Sequence, residues 1–290
     1  MKYAFIHTHR SRYGVGKMCR LLQVSRSGYY DWIDRPESKR VQENRVLVTK
    51  IKKSHELSQE IYGSPRITDD LHGWGYPVSR PRVARLMQVN DIRSKINRKF
   101  KVTTHSDHKL PISPNLLDQN FYAPAPNLIL VSDITYIRTG EGWLYLTTIM
   151  DLFHRKVVGW SMSRTMSVEQ TTIAAMRQYL INHNPEPGMI FHSDRGVQYA
   201  SKDFRNLLDQ YEIVQSMSGK GNCYDNAVAE SFFKTLKSEL VYHERYWTRA
   251  QAKTSIFEYI EIFYNRIRKH SALGYLSPDQ YYQQSIRYAA

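Results

Sequence analysis

Apolar positions recur with helical spacing in residues 221–240, GNCYDNAVAESFFKTLKSEL, where Ala229, Phe233, Leu236 and Leu240 fall at i, i+4, i+7 and i+11 on one face. The polar run from Asn222 to Asn226 supplies a cap for such a helix. Glu230 stands beside the face, as either a solvated edge residue or one arm of a metal site. Upstream the texture changes. LILVSDITYIRT, GWLYLTTIMDLF and KVVGWSMS are rich in β-branched and aromatic residues and broken by short turn segments, so they read as three consecutive strands in an antiparallel meander. A helix over residues 167–183 follows, with Ile173, Met176 and Leu180 on one face. Then come a strand, MIFHSD, a helix, SKDFRNLLDQYE, a strand, IVQSMS, and the helix of Glu230. The order β-β-β-α-β-α-β-α predicts an α/β fold with a mixed five-stranded sheet flanked by helices.

The front half has helical texture. In VGKMCRLLQVSRSGYYDWI, Met18, Leu21 and Leu22 form an apolar face, Val24 and Ser25 a capped turn, and residues 27–33 a second helix. The charged stretch DRPESKRVQENR reads as a linker into another helix. A second pair lies in YGSPRITDDLHGWGYPVSRPRVARLMQVN: Ser64-Pro65 opens a helix, Gly73 to Gly75 ends it, and Ser79 with Pro81 opens the next. On that last helix Val83, Leu86 and Met87 face inward and Arg80, Arg82 and Arg85 outward, where they reach a DNA major groove or simply solvate a helix face. Residues 103–127 are rich in Pro, Asn and Ser. The chain therefore divides into an all-α helix-turn-helix-like segment at 1–45, a second helix-turn-helix DNA-binding domain at 46–102, a linker at 103–127, the α/β core at 128–242 and a helical tail at 243–290.

Charge sharpens this division. The 290 residues carry a net charge of +14, and residues 1–110 hold 23 Lys and Arg against 10 Asp and Glu, while 111–290 hold 18 against 17. A basic front half suits a polyanion, and charge alone leaves ribosome or membrane-surface binding open. The two helix pairs in series and the run RSKINRKFK, with Arg98 and Lys99, favour DNA. No apolar run approaches the roughly 18 to 20 residues of a membrane span, and a cytoplasmic location is expected. Cys19 and Cys223 form no paired motif and read as ordinary thiols.

Three carboxylates occupy special places. Asp133 interrupts an apolar strand, Asp194 ends a strand before Arg195-Gly196, and Glu230 lies on the last core helix, with intervals of 60 and 35 residues between them. Ligands bind at the carboxyl ends of strands in open sheets. Phosphodiester chemistry calls for such a cluster, because two cations roughly 3.5–4 Å apart clamp the attacking and leaving oxygens. Singly, each has a plainer reading: an edge residue, a turn former, or half of a pair with Lys234. Asp151, Asp203 and Asp225 are rival carboxylates, as a strand end and two helix-entry residues, and His192 either orients water or is structural.

DITYI around Asp133, HSDRGVQY, the 35-residue interval and NAVAESFFKTLKSE together resemble the bacterial insertion-sequence transposases with two overlapping reading frames, specifically the B-frame product of the IS-three family. YGVGKMCRLLQVSRSGYYDW, YGSPRITDDL and YNRIRKHSALGYLSPDQYY extend the likeness over essentially the whole chain. The resemblance implies a ribonuclease-H-like core shared with retroviral integrases, in which Asp133, Asp194 and Glu230 are catalytic and bind two Mg²⁺ ions, Mn²⁺ substituting. It implies cleavage at element ends and strand transfer, acting on terminal inverted repeats and target DNA. Lys237, about two helical turns beyond Glu230 on the same face, contacts DNA on this view, and Lys234 joins the DNA-contact candidates. Where the family often carries Trp, three residues before the first Asp, this chain has Leu130. The resemblance also implies a separate A-frame product or an A–B fusion, and a homo-oligomer on DNA, although no heptad seam specifies one. A silent DNA-binding regulator and a nuclease that cuts without joining are the alternatives.

Overall fold

The computed structural model describes residues 1–96, 110–219 and 223–289. Helices α1 (Lys2–His9), α2 (Val15–Leu21) and α3 (Arg26–Asp34) close on a small core of Ile6, Met18, Cys19 and Tyr29. Ser25 starts α3 by accepting the Gly28 N–H at 3.2 Å. Leu21, expected in the α2 face, is 74% exposed, and Cys19 takes the inward place. Helix α4 (Lys39–Leu57) begins inside the charged stretch that reads as a linker, because Ser38 caps it by accepting the Val41 N–H. Helices α5 (Ser64–Gly73) and α6 (Arg80–Val89), each with proline in its first turn, pack with α4 through Leu47, Ile51, Ile67, Leu71, Val83 and Leu86.

The sheet follows: β1 (Ile129–Thr139), β2 (Gly142–Asp151), β3 (Val157–Ser163), β4 (Ile190–Ser193) and β5 (Val214–Met217), in spatial order β3-β2-β1-β4-β5. β1, β2 and β3 are antiparallel neighbours, while β4 pairs parallel with both β1 and β5. This is the mixed five-stranded sheet that the element order predicts. The expected helix over 167–183 is divided, with a wide π-type turn at Glu169–Ile173 leading into α7 (Ala174–Asn182). A one-turn helix, α8 (Val197–Ala200), follows β4 directly, and α9 (Lys202–Gln210) leads to β5. The chain ends in α10 (Ala227–Glu239), α11 (Arg249–Glu258), its π-type continuation Tyr259–Ile267, and α12 (Pro278–Ala289).

Strand alternation sets the two layers. Leu130 joins Met176, Tyr179, Phe191 and Phe204 on the α7–α9 face, and its neighbour Val131 joins Phe232, Phe233, Leu236 and Ile260 on the α10–α11 face. Each such side chain contributes roughly 1.5–3 kcal/mol on full burial. Leu130, in the family's frequent Trp position, is fully buried. The α10–α11 face shares one continuous core with α4, α5 and α6. The described part of the 103–127 stretch is bonded along β5, with Ser216 Oγ accepting the Leu116 N–H at 2.9 Å and Pro114 O accepting the Met217 N–H at 3.2 Å. None of the described helices is long and apolar enough to cross a membrane.

Candidate active site

The sheet register brings the first two carboxylates together. β1 and β4 run parallel with Val131 opposite His192, so two further residues along each strand stand Asp133 and Asp194 side by side. Asp133 is partly buried, and its Oδ1 accepts the Ile134 N–H at 2.7 Å. Asp194 lies just past β4 and accepts the Gly196 N–H at 2.9 Å. A Cβ on Gly196 would stand 2.9 Å from that same oxygen, so a side chain here would displace the Asp194 carboxylate. Glu230 comes from the first turn of α10. The start of α10 is tied to β1 by Asn226, whose Nδ2 donates to Ser132 O at 3.0 Å, one residue from Asp133.

Electrostatics record the convergence. Burial first, then the charge of Asp194, and then that of Glu230 push the Asp133 carboxyl well above the usual carboxylate range, against the Ile134 N–H and Lys237. Glu230 is raised by partial burial and by Asp194. Beneath them Tyr199 is 1% exposed and shares a 2.8 Å hydrogen bond with Ser132 Oγ. Burial pushes its phenol up, and the charges of Asp133 and Asp194 push it further. Lys237 stands beside the cluster with its Nζ 5.5 Å from the Tyr136 ring centre. Burial lowers its ammonium and Asp133 raises it.

Among the described residues no three His, Cys, Asp or Glu side chains are gathered into a ready-made ligand shell. The three carboxylates feel one another without closing round a point, as anions that repel do. Their donors are hard oxygens, and the raised proton affinity of Asp133 and Glu230 marks a place where added positive charge is stabilised. That chemistry fits a proton or a hard divalent cation.

The remaining candidates separate clearly. Lys234 is exposed on α10, and Arg80 and Arg85 are exposed on α6. Arg82 is not the outward arginine its spacing suggests: it donates from Nε and Nη2 to Asn44 Oδ1 at 3.1 and 2.8 Å, and pairs with Glu43 at 3.0 Å. It ties α6 to α4. Arg98 and Lys99 lie outside the described residues. His192 is fully buried between Ser216 Oγ at 2.9 Å and Ser218 Oγ at 3.3 Å, and burial lowers its pKa to about 4. Asp151 ends β2, buried, accepting the N–H groups of Asn127 and Phe153. Asp203 is in the first turn of α9, and Asp225 is buried, accepting from Asn115, Gln119 and Gly219. A cavity of about 650 Å³ at the β5 edge, lined by Lys202, Arg205 and Asp209 among others, includes none of the three carboxylates.

Sequence reasoning misses Asn226, Tyr199 and Glu239. Glu239 is 2% exposed and is held by Arg268 at 2.8 and 2.7 Å and by the Tyr259 hydroxyl at 2.7 Å. A signal existed, because Glu239 falls three residues after Leu236 on the buried stripe, which includes Phe232 and leaves Leu240 only partly buried.

An integrase core domain family matches residues 123–223, a second integrase core domain family matches 230–286, and an HTH-like domain family matches 42–100. The molecule is an enzyme of the transposase and integrase class, a polynucleotidyl transferase with a helix-turn-helix-like domain before its core. Transposase InsF for insertion sequence IS3A of Escherichia coli K12 is 42% identical over 288 residues, covering 99% of this chain and 100% of that protein. The uncharacterized 31 kDa protein of insertion element IS600 from Shigella sonnei is 45% identical over 273 residues, covering 94% and 100%. The chain belongs to the IS3 family of insertion-sequence transposases. The HTLV-2 integrase catalytic core domain in complex with magnesium is similar at 16% identity and a TM-score of 0.43, over 56% of this chain and 99% of that one, too distant to bear on function.

Proposed function

We propose that this protein cuts the ends of its insertion sequence and joins them to target DNA, with Asp133, Asp194 and Glu230 as the catalytic and metal-holding carboxylates. The observation that supports this reading is the parallel register of β1 and β4, which sets Asp133 beside Asp194, with the Asn226–Ser132 bond bringing the Glu230 turn to the same strand. Asp133, Asp194 and Glu230 would hold two Mg²⁺ ions, with Mn²⁺ as substitute, since an oxygen-only donor set suits both. Bound there, the ions would stabilise charge on the attacking and leaving oxygens of the phosphodiester.

The chain's own residues do the positioning. Asn226 and Ser132 hold the Glu230 turn on β1, and the Gly196 N–H orients Asp194. Lys237 presents a cation beside Asp133 to a phosphate next to the scissile one. Arg80 and Arg85 contact DNA from α6, and Lys234 does so from α10. Water attacks first and frees a 3′-hydroxyl, which then attacks a second phosphodiester. Both are in-line displacements, so one site serves both without a covalent protein–DNA intermediate. The partners are double-stranded element ends and target DNA, an A-frame product or A–B fusion, and further copies of the chain, acting in the cytoplasm.

The test is divalent-metal-dependent cleavage and joining of a labelled duplex carrying the element's own end, comparing wild type with Glu230→Gln. The expected result is nicking and joining by wild type and a loss of roughly 10³-fold or more in the variant, which still binds. Equal activity removes Glu230 from the site. Cleavage without joining by wild type makes the protein a nuclease, and binding without cleavage by either makes it a regulator or a subunit awaiting its A-frame half.

A further inference from the structure

On another side of α10 the chain builds a charged site of opposite sign. A cavity of about 380 Å³ is walled by Val228, Ser231 and Thr235 of α10, at i, i+3 and i+7, turned away from the stripe of Glu230 and Lys237. Three guanidiniums line it from separate parts of the chain: Arg66 from α5, Arg155 from the turn between β2 and β3, and Arg268 from the segment after α11. Of the three, only Arg268 forms an ion pair among the described residues, with Glu239, while Glu239 and Asp151 act on Arg66 and Arg155 respectively from beyond pairing distance. Arg66 donates from Nε to Lys269 O at 2.9 Å, and Arg155 from Nη2 to Phe121 O at 3.2 Å. Among the described residues neither forms an ion pair.

Both are partly buried, so their charge is desolvated without a directly paired carboxylate. Burial lowers the pKa of each and Arg268 lowers that of Arg66 further, against Glu239 at Arg66 and against Tyr264 and Asp151 at Arg155. His270 on the same wall is pushed down to about 3 by burial and by Arg268, Arg66 and Arg155. It is neutral, and it reports the positive potential. Ser231 and Ser271 are exposed lining residues, so the cavity opens to solvent. Forked, partly desolvated guanidiniums bind phosphate oxygens in bidentate fashion, and an arriving anion relieves their mutual repulsion.

We propose that this cavity is a phosphate-binding site and seats a backbone phosphate of DNA passing between the helix-turn-helix-like domain and α10. The assignment to DNA rests on the proposed function, whereas the affinity for phosphate does not.

The test has two arms, applied to wild type and to Arg66→Gln with Arg155→Asn, asparagine suiting the left-handed φ of +59 at 155. In the first, melting with inorganic phosphate is compared with chloride at equal ionic strength. In the second, binding to the element-end duplex is measured against salt. The expected result is a phosphate-dependent rise in Tm for wild type only, and a log K against log salt slope shallower by about 1 to 2 in the double variant. A wild-type Tm that phosphate does not raise, or a rise equal in the variant, overturns the site, since phosphate also stabilises by exclusion from protein surface, and Arg155→Asn alone serves for the comparison if the double variant fails to fold. A Tm rise that depends on the two arginines, with an unchanged salt slope, overturns DNA as the source and leaves a free phosphate. The melting arm needs neither metal nor DNA, so its failure is distinct from a failure of cleavage.

Discussion

Helix α10 carries two glutamates with opposite fates. Glu239, at its last position, is buried and answered from within the chain by both arms of Arg268 and by Tyr259. Glu230, in the first turn, is exposed and faces the like charge of Asp194. The helix dipole favours a carboxylate at Glu230's end and opposes one at Glu239's, so the helix alone would predict the reverse comfort. Neighbourhood decides instead. A carboxylate that holds the fold is neutralised by the chain's own cations, whereas one set among its own kind is left for a charge from outside.

The largest expected effect tests the settled member. Glu239→Gln leaves the Arg268 guanidinium buried without its counter-charge and costs about 3–5 kcal/mol of stability, measured by urea unfolding. Glu230→Gln removes repulsion and leaves stability unchanged or slightly raised. Equal losses from both substitutions would break the comparison.

Acid probes the same settled region. His270 beside Arg268, and His154 between Asp151 and Lys156, are both held down to about 3, chiefly by burial. Their folded pKa lies below the unfolded value of about 6.5, so the stability they contribute is present above that value and lost as pH falls. Asp151 acts in reverse: burial raises it to about 6, so the fold gains from it as pH falls from there towards its unfolded value of 3.8. His192, lowered to about 4, loses stability over the same window, while the raised carboxyls of Asp133 and Glu230 gain with Asp151, so the net slope is the difference between two opposed sets. Melting wild type and His270→Gln between pH 6 and 4 should show Tm falling less steeply in the variant, and parallel profiles would place this histidine in contact with water.

Asp133 sharpens the other side. Asp133→Asn keeps an acceptor for the Ile134 N–H and removes a charge that burial, Asp194 and Glu230 all oppose. It should raise the metal-free stability and abolish the Tm rise that Mg²⁺ gives wild type. A variant less stable than wild type, or one that Mg²⁺ still stabilises fully, would contradict the reading of the cluster.

The strands were legible because each is a short β-rich run with punctuation at both ends, and Asp133 and Asp194 stood out because a charge in an apolar strand and a carboxylate at a strand's end break local pattern. What joins them, the parallel register of β1 and β4, depends on pairing across 60 intervening residues, and no local pattern encodes it. The π-type turn at Glu169–Ile173 has the same apolar spacing as the helix it interrupts. Arg268 as the partner of Glu239, and Arg66 and Arg155 as neighbours of Arg268, arise from elements that meet only in the fold.

Arg82 and Arg85 repeat the lesson on α6 at the smallest scale. Three residues apart, they look interchangeable in sequence, yet Arg82 is committed to Glu43 and Asn44 while Arg85 is exposed. The Arg82 pair is partly solvated, so Arg82→Ala should cost only about 1 kcal/mol, with little direct effect on DNA affinity. Arg85→Ala should leave stability within about 0.5 kcal/mol and reduce the salt slope of DNA binding by about 1. Urea unfolding and a salt titration on the two variants separate these outcomes. If Arg82→Ala lowers the salt slope while stability holds, that guanidinium leaves Glu43 for a phosphate, and an internal partner in the free protein does not exclude a role on DNA.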